Sequence, residues 1–398
     1  EFAMLVNQIE ETKAILANRK LLRSKIIQEL REIKREYGDE RRTKIEDEVS
    51  DLVIEKSAMV ANERVVITVS KDGYCKKVSM RSYQAAGENL TGVKEGDELI
   101  GKIECDTLDT LLLFTTKGNY AYIPVYQLED GRWKDIGSHI NKAIKIDGDD
   151  KICNAILIKN FDTYAWIVTV SAQGNIKKTL VKNWEVQRNN KVMPAMKLRS
   201  NDKVIRAFVC YEHEEIFMCS REGYMVHFSS DQIPVTNTRS QGVKGIKLAA
   251  GDVCAGACVA KSHDNAIWVQ SETGSMKRVK TEEITLGNRA IKGELICKKQ
   301  KSNPSHIKEI RAVTPYDQLV FVTSEEVKTL MAKDVAIMNR VATFSNTITF
   351  KGDFYSVQDI EECRIVDIPE GAELVDESED VEQRVHGDFE MMDLFNQE

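Results

Sequence analysis

No stretch of this sequence sustains an apolar run near the 18–20 residues that cross a bilayer, and no secretory leader opens it, so a membrane or exported protein is not expected. Cysteine supplies no framework. The nine residues are scattered and odd in number, which suits free thiols in a reducing cytosol. The nearest approach to a ligand pair is Cys254 and Cys258, with His263 beyond. No second pair at zinc-finger spacing accompanies it, so it reads as two small thiols in a packed strand, and no metal site is expected. A phosphate-cradling glycine loop, a dinucleotide fingerprint and a nucleophile elbow are also missing, and the six histidines form no ligand or base constellation. No catalytic residue is assigned. Collagen, low complexity and general disorder are excluded by composition.

What is present is a long chain, 398 residues with 42% apolar, enough for two or three domains or one large repetitive one. Its formal charge of −7 is unevenly placed. Residues 366–398 hold twelve acids against one base, Arg384, which leaves the remainder mildly basic. A basic body with an acidic extension points to a polyanion-binding surface and a solvated tail.

Residues 5–35 read as one amphipathic helix, with Leu5, Ile9, Leu16, Leu22, Ile26, Leu30 and Ile33 on one stripe and Gly38 as C-cap. The stripe needs a partner helix that the chain does not offer. Glu1-Phe2-Ala3 before Met4 looks like a cloning remnant, so the expectation is a fragment that begins inside a helical hairpin.

Beyond residue 60 the period becomes alternating, and one unit recurs: strand, tight turn, strand. The turns are Lys71-Asp72-Gly73, Lys117-Gly118-Asn119, Gln173-Gly174-Asn175, Arg221-Glu222-Gly223 and Glu272-Thr273-Gly274. A sixth hairpin, Leu319–Thr323 with Val327–Leu330, turns without glycine. A second marker keeps the same beat: Asp97, Asp150, Asp202, Asp252 and Asp353 each precede a further strand. A repeat near 50 residues built from short strands predicts a propeller-like ring of stacked blades.

Residues 29–45, with their Gly38-Asp39-Glu40-Arg41-Arg42-Thr43 segment, resemble the end of the coiled-coil tower in the A subunits of bacterial type IIA topoisomerases. Residues 60–365 resemble the C-terminal domain of the same family, a six-bladed β-pinwheel whose blades exchange strands. The gyrase box Gln-Arg-Arg-Gly-Gly-Lys-Gly has no cation in its first-blade counterpart, Gln84–Leu90. Its best echo is Arg239-Ser240-Gln241-Gly242-Val243-Lys244-Gly245, matching at Gly242, Lys244 and Gly245. That pattern, with Arg81-Ser82-Tyr83 and Arg132-Trp133-Lys134-Asp135-Ile136-Gly137, is similar to the A subunits of topoisomerase IV (ParC) of the Gram-positive type.

The resemblance implies an all-β fold preceded by a coiled-coil fragment. Residues 1–43 would be tower end, 44–60 linker, 61–365 pinwheel and 366–398 disordered acidic tail. The blades would run 61–110, 111–160, 161–210, 211–262, 263–313 and 314–365. It also implies duplex DNA as partner, with a second A subunit, the ATPase B subunit (ParE) of the full enzyme, and a cytoplasmic, nucleoid-associated setting. No cofactor is implied for this fragment, since ATP and Mg2+ belong to other domains and to ParE. The family's breakage chemistry lies upstream, and its Arg-Tyr-Thr type active-site sequence does not occur here.

In a ring of blades, equivalent positions recur around one rim, where cations can follow a bent duplex without reading bases. The expected contacts are Lys76, Lys77, Arg81, Lys117, Lys177, Lys178, Arg188, Lys191, Arg239, Lys244, Lys247, Lys277, Arg278, Arg289 and Lys292. Tyr74, Tyr120, Trp133, Trp166, Trp184 and Trp268 are read as packing residues. The function expected is sequence-nonspecific bending of DNA, positioning segments for strand passage in decatenation and supercoil relaxation. A gyrase-type wrapping domain, a propeller serving as a protein-interaction platform and a propeller hydrolase stand as alternatives. The atypical sixth hairpin, with Glu325 and Glu326, puts full ring closure in question.

Overall fold

Asn18 interrupts the stretch that apolar spacing predicts as a single helix. In the computed structural model, which describes residues 1–39, 60–87, 89–186, 191–261, 266–298, 305–323, 326–345, 350 and 352–369, helices Phe2–Ala17 and Arg19–Tyr37 meet at Asn18. Its backbone is extended (φ −120°, ψ 105°) and its side chain accepts a hydrogen bond from the Lys20 amide at 3.1 Å. Asparagine competes for backbone donors in this way, which is why it ends and starts helices. Neither helix buries a residue, and Leu5, Ile9, Leu16, Ile26, Leu30 and Ile33 are all exposed. This unit, 1–58, is separate from the second, 59–398. Most of the expected linker lies outside the described residues, as does the tail beyond residue 369.

The second unit is the six-bladed ring. Its hairpins are Arg64–Ser70 with Tyr74–Ser79, Thr110–Thr115 with Asn119–Pro124, Trp166–Ser171 with Asn175–Leu180, Glu215–Ser220 with Tyr224–Ser229, Ala266–Ser271 with Met276–Lys280, and Gln318–Thr323 with Val327–Met331. We number the blades one to six in that order. The strand that follows each hairpin folds back against its first strand: Leu99–Asp106, Ile152–Ile158, Val204–Cys210, Cys254–Ala260, Ile307–Val313 and Phe354–Val357.

Blades one to five then receive a short piece of the next repeat beside their second strand. His139 pairs with Tyr74, Met193 with Tyr120, Val243 with Ile176, Leu295 with Tyr224 and Ser345 with Met276. The third strands line a central cavity of about 2740 Å³.

The recurring aspartate has a structural job. Asp97 Oδ1 accepts the amides of Asp72 and Glu98 at 2.9 and 2.7 Å. Asp150, Asp202 and Asp252 repeat this on Lys117, Gln173 and Glu222. Each carboxylate fastens a hairpin turn to the start of the third strand. A second device escaped the sequence reading: Ser70, Thr115, Ser171, Ser220 and Ser271 close their turns by accepting the amide four residues on.

The core is a chain of interblade clusters rather than one centre. Leu111 and Leu113 of blade two pack with Ile67 and Val69 of blade one, Ile167 of blade three with Phe114 of blade two, and so on to Phe321 against Trp268. A last cluster joins blade six to blade one through Val322 and Val357 against Leu99, Leu90 and Val93. The ring therefore closes despite its atypical sixth hairpin, because apolar residues at this joint do not depend on the turn. Cys254 and Cys258 fall in different clusters, both thiols buried and pushed up to about 12 by that burial. Trp133, Trp166, Trp184, Trp268 and Tyr120 are buried in packing, and Tyr74 is half-buried.

Candidate nucleic-acid interface

Between the second strand of each hairpin and the third strand that completes its blade lies a long loop, which in repeats two to six delivers the exchanged piece. Consecutive loops touch. The Trp133 carbonyl accepts the Gly92 amide at 3.0 Å, and the Trp133 indole donates to the Asn89 carbonyl at 2.7 Å. Lys145 forms a β-bridge with Lys191, and the Lys197 amide donates to the Ser240 carbonyl at 3.0 Å. The Lys247 amide donates to the Ile291 carbonyl at 2.9 Å, and Arg340 Nη1 to the Leu295 carbonyl at 3.0 Å. Five joints thus link six loops into one belt along the ring.

The belt's charge follows the sequence. Residues 186–201 carry Arg188, Lys191, Lys197 and Arg199 and no acid, and residues 232–251 carry Arg239, Lys244 and Lys247 and no acid. In the blade-one loop, Arg81 and Lys94 are offset by Glu88 and Glu95. Lys191, Lys197, Arg199, Arg239, Lys244, Lys247 and Lys292 are exposed. Lys244 also donates to the Gln173 carbonyl at 2.8 Å, and Lys292 lies 4.2 Å from the ring centre of Tyr224. Arg289 is half-buried, with Nε on the Gln232 carbonyl at 2.8 Å and Nη1 on the Lys244 carbonyl at 3.1 Å, so it pins two loops together as well as facing solvent. Arg188 lies outside the described residues.

The box remnant shapes this belt more than it charges it. Gly242 has φ +77°, and a Cβ there would run into the Ile176 carbonyl oxygen; at Gly245 it would meet the Met218 sulfur. Gly242 lets the blade-four loop lie flat on blade three, and Gly245 lets it pass between Ile176 of blade three and Met218 of blade four.

The hairpin cations belong elsewhere, and this corrects the sequence expectation. Lys76, Lys177 and Lys277 are fully buried. The Lys76 ammonium donates to the carbonyls of Trp133 (2.8 Å) and Asp135. Lys177 donates to Ala195, Asn237 (3.1 Å) and Thr238 (2.8 Å), and Lys277 to Arg340 and Ala342, both 2.8 Å. Burial pushes Lys76 and Lys277 down to about 8, with the Asp135 charge opposing it at Lys76.

Their neighbours do the same on the other side of the strand. Lys77 donates to the Leu128 carbonyl at 2.6 Å, Lys178 to Ser230 at 2.9 Å and Arg278 Nε to Val335 at 2.8 Å. Blade four uses His227, whose Nδ1 lies 2.8 Å from the Ile284 carbonyl oxygen. These side chains staple the exchanged loops to the hairpins and are not presented to a phosphate. Lys117 is exposed but ion-paired with Asp149 at 2.5 Å and Asp147 at 3.3 Å, which raise its pKa. Arg81 is exposed on the short helix Met80–Ala86, in the loop with the least net cation.

The sequence reading missed Lys145, Lys197 and Arg199, all exposed on the belt; Lys142 is exposed too but paired with Glu129 at 3.0 Å. The signal was available: each lies in the loop after a hairpin, where the box remnant was found, rather than on a strand.

A six-bladed ring whose blades exchange chain, with acid-poor cationic loops at repeats three and four, is a β-pinwheel. The family described as "DNA gyrase C-terminal domain, beta-propeller" matches residues 64–101, 109–159, 165–210 and 214–258. The A subunit of DNA topoisomerase 4 from Bacillus subtilis (strain 168) is 35% identical over 342 residues, 86% of this chain and 42% of that protein. Its counterpart in Staphylococcus aureus (strain MRSA252) is 34% identical over 306 residues, 77% of this chain and 38% of that protein. The chain thus spans about two fifths of the length of these relatives. Among solved structures, a C-terminal domain of DNA topoisomerase IV superposes with TM-score 0.67 at 33% identity, covering 75% of this chain and 95% of that one. A DNA gyrase A C-terminal domain shares the fold at TM-score 0.60 and 22% identity, covering 75% of this chain and all of that one. The chain belongs to the family of topoisomerase IV A subunits and carries the C-terminal β-pinwheel of that family.

Proposed function

We propose that the chain binds duplex DNA without regard to sequence and bends it along the loop belt, with its strongest hold at the loops of blades three to five. The observation that carries this reading is the belt itself: successive loops joined by hydrogen bonds, with exposed cations and no acids over residues 186–201 and 232–251. Bending 20–30 base pairs by 40–90° costs about 1–6 kcal/mol on elastic estimates. Phosphate neutralisation must supply that energy, and it weakens steeply with salt. A belt with little net cation at its blade-one loop favours a partial arc over complete wrapping.

In the parent enzyme this part would hold DNA segments for strand passage in decatenation and supercoil relaxation, on nucleoid DNA, beside the ATPase partner ParE and a second copy of its own chain. It would contribute no cleavage chemistry and need no cofactor of its own. Gel retardation of linear duplexes of unrelated sequence across a salt series tests the reading. A steep, shared salt slope is expected. A flat slope, or tight binding to one sequence alone, overturns it.

A further inference from the structure

Five of the six blade joints are crossed by an exchanged piece of chain, whereas among the described residues blade six is a three-stranded sheet that receives none. What crosses the ring there is the segment after Val357. Glu361–Cys363 pairs in parallel with Ile152–Ile158 of blade two, the only third strand among the described residues with an added neighbour of this kind. We infer that Gln358–Val366 is a clasp that holds the ring closed, and that its release opens the joint between blades six and one.

The clasp is tied to four blades. Gln358 donates to Glu309 of blade five at 2.6 Å, and the Ile360 amide to the Lys102 carbonyl of blade one at 2.9 Å. Lys159 of blade two pairs with Glu362 at 2.7 Å, and the Val209 amide of blade three donates to Glu361 at 2.9 Å. At its far end the Val366 amide donates to Thr163 Oγ1 at 2.8 Å, and the Tyr164 amide donates to the Val366 carbonyl at 2.9 Å. These ties reach one residue into the stretch read from sequence as tail. Gly101 marks how closely the clasp lies on blade one, because a Cβ there would run into the Gln358 carbonyl oxygen.

Only Ile360 and Cys363 of the clasp are built into interblade clusters, and most of its other ties are polar. The joint it guards rests on three buried apolar residues, Leu99, Val322 and Val357. Such a segment can leave without dismantling the five exchanged joints. With the proposed function granted, this regulates the same site: a closed ring keeps the belt's ends together, and an opened one lets the belt climb out of plane and change the path of bound DNA.

Amide hydrogen exchange on the full chain, on chains ending at Pro369 and at Val357, and on full-length Ile360→Asp tests this. Peptides over residues 90–99 and 320–323 report the joint, and residues 215–220 serve as a control. The expected result is roughly tenfold or faster exchange at the joint in the Val357-ending chain and in Ile360→Asp, with the control unchanged and the Pro369-ending chain like the parent. Unchanged joint exchange overturns the clasp, and so does equal acceleration of the control in both variants, since the segment would then be ordinary core. A plasmid-retardation arm separates the two readings. Chains that show the exchange pattern but bind no DNA would remove the proposed function and leave the clasp standing.

Discussion

Lys177 and Lys247 sit in neighbouring parts of the same region and do opposite work. Lys177 is fully buried under the loops of repeats three and four, with its ammonium shared among the carbonyls of Ala195, Asn237 and Thr238. Lys247 is exposed on the belt, held by its backbone while its side chain stays in solvent. A buried ammonium facing several carbonyls is a structural fastener, and an exposed one on an acid-poor loop is a phosphate ligand in waiting. The fold uses fasteners in blades one, three and five, where Lys76, Lys177 and Lys277 hold the exchanged loop. Blades two and four have Ala121 and Val226 at that place. Blade two relies instead on Tyr120, Phe114 and Trp184 packed edge to face.

Removing a fastener should give the largest effect. Lys177→Met keeps the apolar stem but leaves several buried carbonyls without a donor, an expected loss of about 3 kcal/mol in chemical denaturation. The folded fraction should still bind DNA with parental affinity. Loss of affinity in excess of the unfolded fraction would mean that Lys177 reaches phosphate after all, and would erase the distinction.

The complementary change is Lys191→Glu with Arg239→Glu and Lys247→Glu. Stability should move by less than about 1 kcal/mol, as for other exposed charges. The slope of log affinity against log salt should fall by roughly 0.9 for each phosphate contact removed. An unchanged slope would put the DNA elsewhere on the ring.

Gly242→Ala tests whether the remnant of the box shapes the belt. The left-handed backbone and the Ile176 carbonyl both oppose a Cβ, so about 1–3 kcal/mol should be lost. Asp202→Ala should cost about 1–2 kcal/mol by freeing the Gln173 turn amide. Equal behaviour of Gly242→Ala and the parent would show that the loop can lift from blade three at no cost.

Much of the fold was legible in the sequence because its determinants are local. Turn glycines set the hairpins, and the in-phase aspartates marked the third strands because Asp97, Asp150, Asp202 and Asp252 each tie one turn to one strand. The site was half legible. A lysine on an alternating strand reads as solvent-facing, and nothing in Lys177-Lys178 reveals that a segment about 60 residues later will lie over both. Strand exchange is a long-range event, so the same residue type became a fastener on the hairpin and a ligand candidate on the loop. Ring closure was illegible for the same reason: the clasp meets blade two roughly two hundred residues away in sequence.

The smallest effect expected from the comparison lies in pH. Lys76 and Lys277 have folded values near 8, below the ordinary 10.5, so above pH 8 the unfolded chain binds more protons than the folded one at these two sites. Stability contributed by them should rise from pH 8 upward, by about 1 kcal/mol each at pH 9. The buried and half-buried thiols act in the opposite sense. Cys75, Cys105, Cys153, Cys210, Cys254, Cys258 and Cys363 are pushed up to about 12 from 9.0, so their contribution is complete well below pH 9 and is lost as pH rises through 9 toward 12. Seven thiols outweigh two lysines, and the stability curve should peak between pH 8 and 9 and then fall. In Lys277→Met the lysine contribution to the rise should halve while the fall above pH 9 stays. A rising limb of parental size in that variant would mean that the Lys277 ammonium keeps its proton through this range, its carbonyl partners outweighing burial.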